Sequence, residues 1–118
     1  MAKIKSFEAA CKALGIEPIL PEVSGLSKDH QKAIVAHYKL VIIAQALNEG
    51  WKPDWKNDNE WKYYPWFDME NGFSYIYFGR RFTCSRVGSR LCFKSSELAR
   101  YAGTQFLKLY KDYFTFGK

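Results

Sequence analysis

Tyr64 and Trp66 stand two residues apart, as do Tyr75 and Tyr77, and Arg81, Arg90 and Lys94 follow them in the chain. Flat rings stack on nucleobases with little regard for sequence, and Arg and Lys track phosphates, so these residue types on one surface suit single-stranded nucleic acid. Trp, Tyr and Arg together also make the energetic centre of protein interfaces. Large aromatics serve equally as buried packing. The period of the elements that carry them decides between these uses.

Other chemistry finds little support. The chain has no nucleophile-elbow glycine motif, no GxxxxGK[ST], no HExxH and no Cys–His pair, and it reads as a non-enzymatic protein. Asp68 beside Tyr75 has the groups of an acid–base pair, an arrangement that is more often structural. Asp54, Asp58 and Glu60 faintly resemble a calcium loop without its glycine or distal glutamate. His30 and His37 have no cysteine or carboxylate at ligand spacing. Cys11, Cys84 and Cys92 are odd in number and contain no CxxC, which argues for reduced thiols rather than disulfides or zinc. No cofactor and no metal are expected.

The aromatic residues must be positioned by strands. Residues 60–94 are rich in Tyr, Phe, Trp and Ile and are punctuated by Asn71-Gly72 and Gly88-Ser89, both two-residue hairpin signals, which predicts an antiparallel meander. A type I′ turn at Asn71-Gly72 pairs Asp68 with Tyr75, Phe67 with Ile76 and Trp66 with Tyr77. A type II′ turn at Gly88-Ser89 pairs Arg86 with Leu91 and Cys84 with Phe93. Strand alternation then gives an inner face of Phe67, Ile76, Phe78, Phe82, Cys84, Leu91 and Phe93. The outer face carries Tyr64, Trp66, Tyr75, Tyr77, Arg81, Thr83, Ser85, Arg90, Cys92 and Lys94. Arg80 falls on the inner face beside Gly79, which implies a bulge or bend there, or else a second tight hairpin; the meander has three or four strands accordingly. In this register Cys84 and Cys92 lie on opposite faces.

Helices are expected to cover the inner face. Ser6 and Gly15 bound a short N-terminal helix, Phe7–Leu14. Residues 16–26 form an extended connection because Pro18 and Pro21 remove donors and disfavour helix before them. Ser27 opens a long central helix that runs to about Asn48, with LVIIAQAL apolar nearly all round. Residues 51–61 read as a turn-rich loop whose tryptophans fold back on the core. Ser95 or Ser96 caps a C-terminal helix to about Phe114, with a buried stripe of Leu98, Ala102, Phe106, Leu109 and Tyr113.

A chain of 118 residues with 47% apolar residues is one domain, 1–118, able to bury roughly two-thirds of its unfolded surface. Its charge is asymmetric. Residues 71–118 hold nine Lys and Arg against two Asp and Glu, a net +7, whereas residues 1–70 carry a net −1. An anionic partner for the later half fits that balance, as does a solvated basic face. No apolar run approaches the roughly 20 residues of a membrane span, and no secretory h-region is visible, so a cytoplasmic location without a membrane partner is expected.

The stretches ALNEGWKPDW, KYYPWFDM, VGSRLCFKSSELARYAGTQF and LYKDYF resemble a small family of phage and prophage proteins of gut bacteria. The resemblance implies a cytoplasmic, phage-encoded protein and carries no site residues. The resulting expectation is an α+β domain with a meander of three or four strands, packed on one face by the long central, C-terminal and short N-terminal helices. Its aromatic and basic outer face would bind single-stranded nucleic acid, or serve as a protein-interaction or self-assembly surface.

Overall fold

The computed structural model describes residues 4–70 and 72–116. The element order is α1 (Phe7–Leu14), α2 (Lys28–Asn48), β1 (Lys62–Asp68), β2 (Ser74–Arg81), α3 (Ser96–Gln105) and α4 (Leu107–Phe114), an α+β fold around a two-stranded antiparallel sheet. Local signals explain the helix ends. The Ser6 hydroxyl accepts from the Ala9 N–H at 3.1 Å, and Gly15 closes α1 with φ of 71°. Ser27 precedes α2 without capping it, because its hydroxyl donates to Asp29 Oδ1 instead.

The apolar second half of α2 is enclosed on several sides. Leu40, Ile42, Ile43, Ala44, Ala46 and Leu47 are all buried, with α1 and α4 packed against the helix. His37 stacks on Tyr113 of α4 at 4.7 Å between ring centroids, a structural role for that histidine. The expected C-terminal helix is broken at Phe106, whose φ and ψ are −112° and 31°. Thr104 contributes to the break: its hydroxyl donates to the Arg100 and Tyr101 carbonyls, back-bonding that bends helices. The break re-aims the stripe, so that Tyr110 is buried while Leu109 and Tyr113 are half-buried.

The meander is the main correction. Among the described residues two strands form, and the segment after β2 makes only an isolated bridge, Phe93 to Tyr63, with N–H to carbonyl distances of 3.0 and 2.7 Å. That bridge lies on β1, not β2, so the chain crosses back to the far edge of the first strand. The Arg86–Leu91 and Cys84–Phe93 pairs therefore do not form. Ser85 explains part of this: its hydroxyl accepts from the N–H groups of Val87 and Gly88 at 3.0 and 2.6 Å, a turn that competes with any ladder. Asn71 lies outside the described residues, and with it the type I′ assignment; Gly72 has φ of 82°.

Within the hairpin, Trp66 pairs with Tyr77 as expected, but the register slips between Trp66 and Phe67. Phe67 then pairs with Tyr75, and Asp68 with Ser74, leaving Ile76 as the extra residue of a bulge. One inserted residue inverts parity beyond it. Ile76, assigned to the inner face, is 55% exposed, and Tyr75, assigned to the outer face, turns inward against α3. The strand continues unbroken through Gly79, where no bulge occurs. Gly79 is needed for a different reason: a methyl there would run into the ring of Tyr64, its cross-strand partner.

The contact between α3 and the sheet depends on Gly103. A Cβ at this position would stand 2.8 Å from Pro65 Cβ and equally tight against the Tyr75 ring. Helix propensity favours Gly103→Ala by about 1 kcal/mol, but overpacking two buried neighbours costs about 1 to 3 kcal/mol. A net loss of stability in urea melts is the expected outcome. A gain would mean that Tyr75 and Pro65 move aside freely.

Candidate functional site

The seven residues expected to share the outer face are dispersed. Trp66 and Tyr77 remain together as a cross-strand pair, 45% and 61% exposed, with the bulged Ile76 beside them. Tyr64 is on this side but buried at 3% exposure, laid over Gly79 with its ring 6.2 Å from that of Trp66. Tyr75 is on the opposite side, its ring against Gly103 and its hydroxyl enclosed without a hydrogen-bond partner. Burial raises the Tyr75 phenol above its ordinary pKa, with Arg100 pulling the other way. Arg81 is exposed at the end of β2 and donates to the Arg80 carbonyl at 2.8 Å. Arg90 lines a cleft of about 510 Å³ with Trp51, Lys52 and Pro53. Lys94 is paired with Glu49 at 3.4 Å on the rim of another cleft, of about 830 Å³.

Sequence reasoning missed Arg86. Its guanidinium lies 5.5 Å from the centroid of the Trp66 ring, a cation–π contact that brings the segment after β2 to the side of the sheet on which Trp66 lies. A second stack closes the far end of the hairpin: Arg80 is 4.0 Å from the Trp61 centroid, and Trp61 stacks on Phe82 at 3.6 Å. Arg80, the misfit of the strand pattern, thereby has an aromatic partner.

The turn-rich loop is built around an unexpected group. Lys62 is 1% exposed, and its ammonium donates to the carbonyls of Asp54 and Asn57 at 2.6 and 3.1 Å while pairing with Glu60 Oε1 at 3.2 Å. Trp55 covers it, with the nitrogen 5.3 Å from the ring centroid. The loop that faintly resembles a calcium site wraps the chain's own cation. Trp51 and Trp55 fix the outside of this loop through indole bonds to Glu60 Oε2 and Ser89 Oγ. The lysine alone, read within a strand pattern, gave no signal of this role.

Three carboxyls have a displaced pKa among the described residues, Glu22, Asp29 and Glu60, and all three move down. Each is held as an anion by local bonds, from Ser24, Ser27 and Asp54 respectively, which is the opposite of what a general acid needs. The Asp68–Tyr75 pair is not formed, since Asp68 stands opposite Ser74. No group of three His, Cys, Asp or Glu converges as metal ligands among the described residues. The three cysteines are free thiols, with Cys84 exposed and Cys11 and Cys92 buried; burial raises Cys92 to about 11. No helix among the described residues is long and apolar enough to cross a membrane.

Comparison of the chain with protein-family models, with curated proteins and with solved structures gives no match. The site therefore rests on its own geometry. Its accessible part is the Trp66–Tyr77 pair with Ile76 and with Arg86 over the indole; Arg81 lies further along β2, opposite Lys62.

Proposed function

We propose that this chain is a non-enzymatic binding protein, phage-encoded and cytoplasmic as the sequence resemblance implies, whose contact surface is the outer face of the hairpin and whose partner is a protein. The observation that carries the reading is the joint exposure of Trp66, Ile76 and Tyr77 at one place in the sheet. Trp and Tyr beside Arg, with a branched aliphatic residue among them, have the make-up of an interface centre. Among the described residues β2 pairs with β1 alone.

Single-stranded nucleic acid is the second reading, favoured by Arg86 over the Trp66 ring and by Arg81 at the end of β2. It is weaker because stacking needs free ring faces. Arg86 covers one face of Trp66, Tyr64 is buried, the half-buried Tyr75 ring lies against Gly103 of α3, and Arg90 and Lys94 line clefts elsewhere.

Labelled oligonucleotides and cell proteins, each tested against wild type and a Trp66→Ala, Tyr77→Ala double variant, separate the readings. Protein association should be lost in the double variant, while oligonucleotide anisotropy at low salt should show no binding that depends on these rings. Oligonucleotide binding that falls about tenfold on Trp66→Ala, and falls again with salt, would transfer the surface to nucleic acid.

A further inference from the structure

A second exposed apolar surface lies in the connection between α1 and α2. Ile16, Ile19, Leu20 and Leu26 are all exposed there, Ile19 at 70%, in a segment that is neither helix nor strand over residues 16–23. Four large aliphatic side chains in solvent within eleven residues go beyond the scattered exposure of an ordinary surface. The segment contains Pro18-Ile19-Leu20-Pro21. Both prolines fix φ, and the Ile19 N–H donates to the Glu17 carbonyl at 2.8 Å in a tight turn around Pro18, so part of the entropy of docking is already lost.

Charge decides which surface suits it. Glu17 and Glu22 flank the motif, and residues 13–27 contain no Lys or Arg. The hairpin face has the opposite character: Trp66, Ile76 and Tyr77 are exposed, Arg86 lies over the Trp66 ring, and Arg81 ends β2. Each surface supplies the aliphatic or aromatic group and the charge that the other lacks.

We propose that residues 16–26 of one copy dock on the Trp66–Tyr77 face of a second copy. The inference rests on the reading of the hairpin as a protein-binding face and names its occupant. Because donor and acceptor are different patches, association closes as a two-fold dimer where both contacts form reciprocally, and otherwise runs head-to-tail into a ring or longer oligomers.

A fluorescein-labelled peptide of residues 16–26, titrated with the full-length protein, tests the contact directly. Binding should weaken at least about tenfold with Trp66→Ala and Tyr77→Ala together, a change of about 1.4 kcal/mol or more. It should persist in a protein carrying Ile19→Asp and Leu20→Asp, whose hairpin face is intact. Sedimentation velocity then supplies the complementation: wild type associates with concentration, each double variant alone is a monomer, and their equimolar mixture stops at a dimer. All four substitutions are at exposed positions, and circular dichroism verifies that the variants are folded. Association undiminished by Ile19→Asp and Leu20→Asp, or no peptide binding by wild type, would overturn the inference. If the hairpin variant still loses another protein partner in that case, the hairpin reading stands without it; if it loses none, both fall.

Discussion

Replacing Lys62 by Met is expected to cost about 3 to 5 kcal/mol in urea melts, the range for breaking a buried ion pair by removing one partner. Methionine keeps most of the stem but takes away the ammonium. The Asp54 and Asn57 carbonyls and the Glu60 carboxylate then converge on nothing, and the loop that encloses them loses its centre. A loss under about 1 kcal/mol would show that solvent satisfies these groups and that the burial of Lys62 is incidental. Glu60 gives the same cluster a pH dependence. Burial pushes its carboxyl up, but the Asp54 N–H, the Lys62 ammonium and the Trp51 indole outweigh it, and the group sits below its ordinary 4.5. A carboxyl depressed on folding contributes stability that is complete above its unfolded pKa and is lost as pH falls through the folded one. Wild type should therefore weaken as the pH drops below about 4.5, and Glu60→Gln should flatten that part of the profile.

Asn48→Ala is expected to cost about 2 to 4 kcal/mol, because the buried Cys92 carbonyl loses its partner at about 1 to 3 kcal/mol and the part-buried Lys94 N–H loses a bond worth about 1 kcal/mol. The Asn48 side chain donates to the Cys92 carbonyl at 2.9 Å and accepts from the Lys94 N–H at 3.1 Å, bonding the end of α2 to a segment more than forty residues away. It does for residues 92–94 what a neighbouring strand would do. Leu91, Cys92 and Phe93 are all buried beside this bond, so the loss should spread to the Tyr63–Phe93 bridge. Hydrogen exchange gives the specific readout: the Phe93 amide should exchange much faster in the variant, while amides in the middle of α2 follow only the global change in stability. Unchanged protection at Phe93 would show that burial alone holds the segment.

Helices α1 and α2 were legible because their signals are local, whereas the break between α3 and α4 at Phe106 was not. Ser6 and Gly15 bound α1 through groups within a few residues of each end, and the apolar run of residues 40–44 marks α2 as a helix enclosed on several sides wherever its neighbours lie. The aromatic hairpin was legible in type, and the Trp66–Tyr77 pair in register, but the pairs between it and the turn, Phe67–Tyr75 and Asp68–Ser74, are offset by the bulge at Ile76. Past that point the sequence pattern could not decide. A single bulge at Ile76 exchanges the faces of Ile76 and Tyr75, and nothing in SYIYF distinguishes the two registers; the close fit of Tyr75 against Gly103 favours the one that forms. The third strand failed for a related reason. Residues 84–93 have turn and strand residues in good order, but a ladder needs a partner, and the Ser85 turn, Asn48 and the free edge of β1 offered the backbone better ones. Lys62 and Arg86 were invisible as organising residues because charge in a sequence carries no address: only the folded chain brings three oxygens to one ammonium and an indole to one guanidinium. Sequence by itself determined the limits of α1 and α2, the start of α3, the existence of the hairpin and the supply of aromatic and basic groups. Tertiary packing decided which of those groups share a surface, because that depends on contacts between residues far apart in the chain, where one inserted residue or one competing hydrogen bond reverses the outcome.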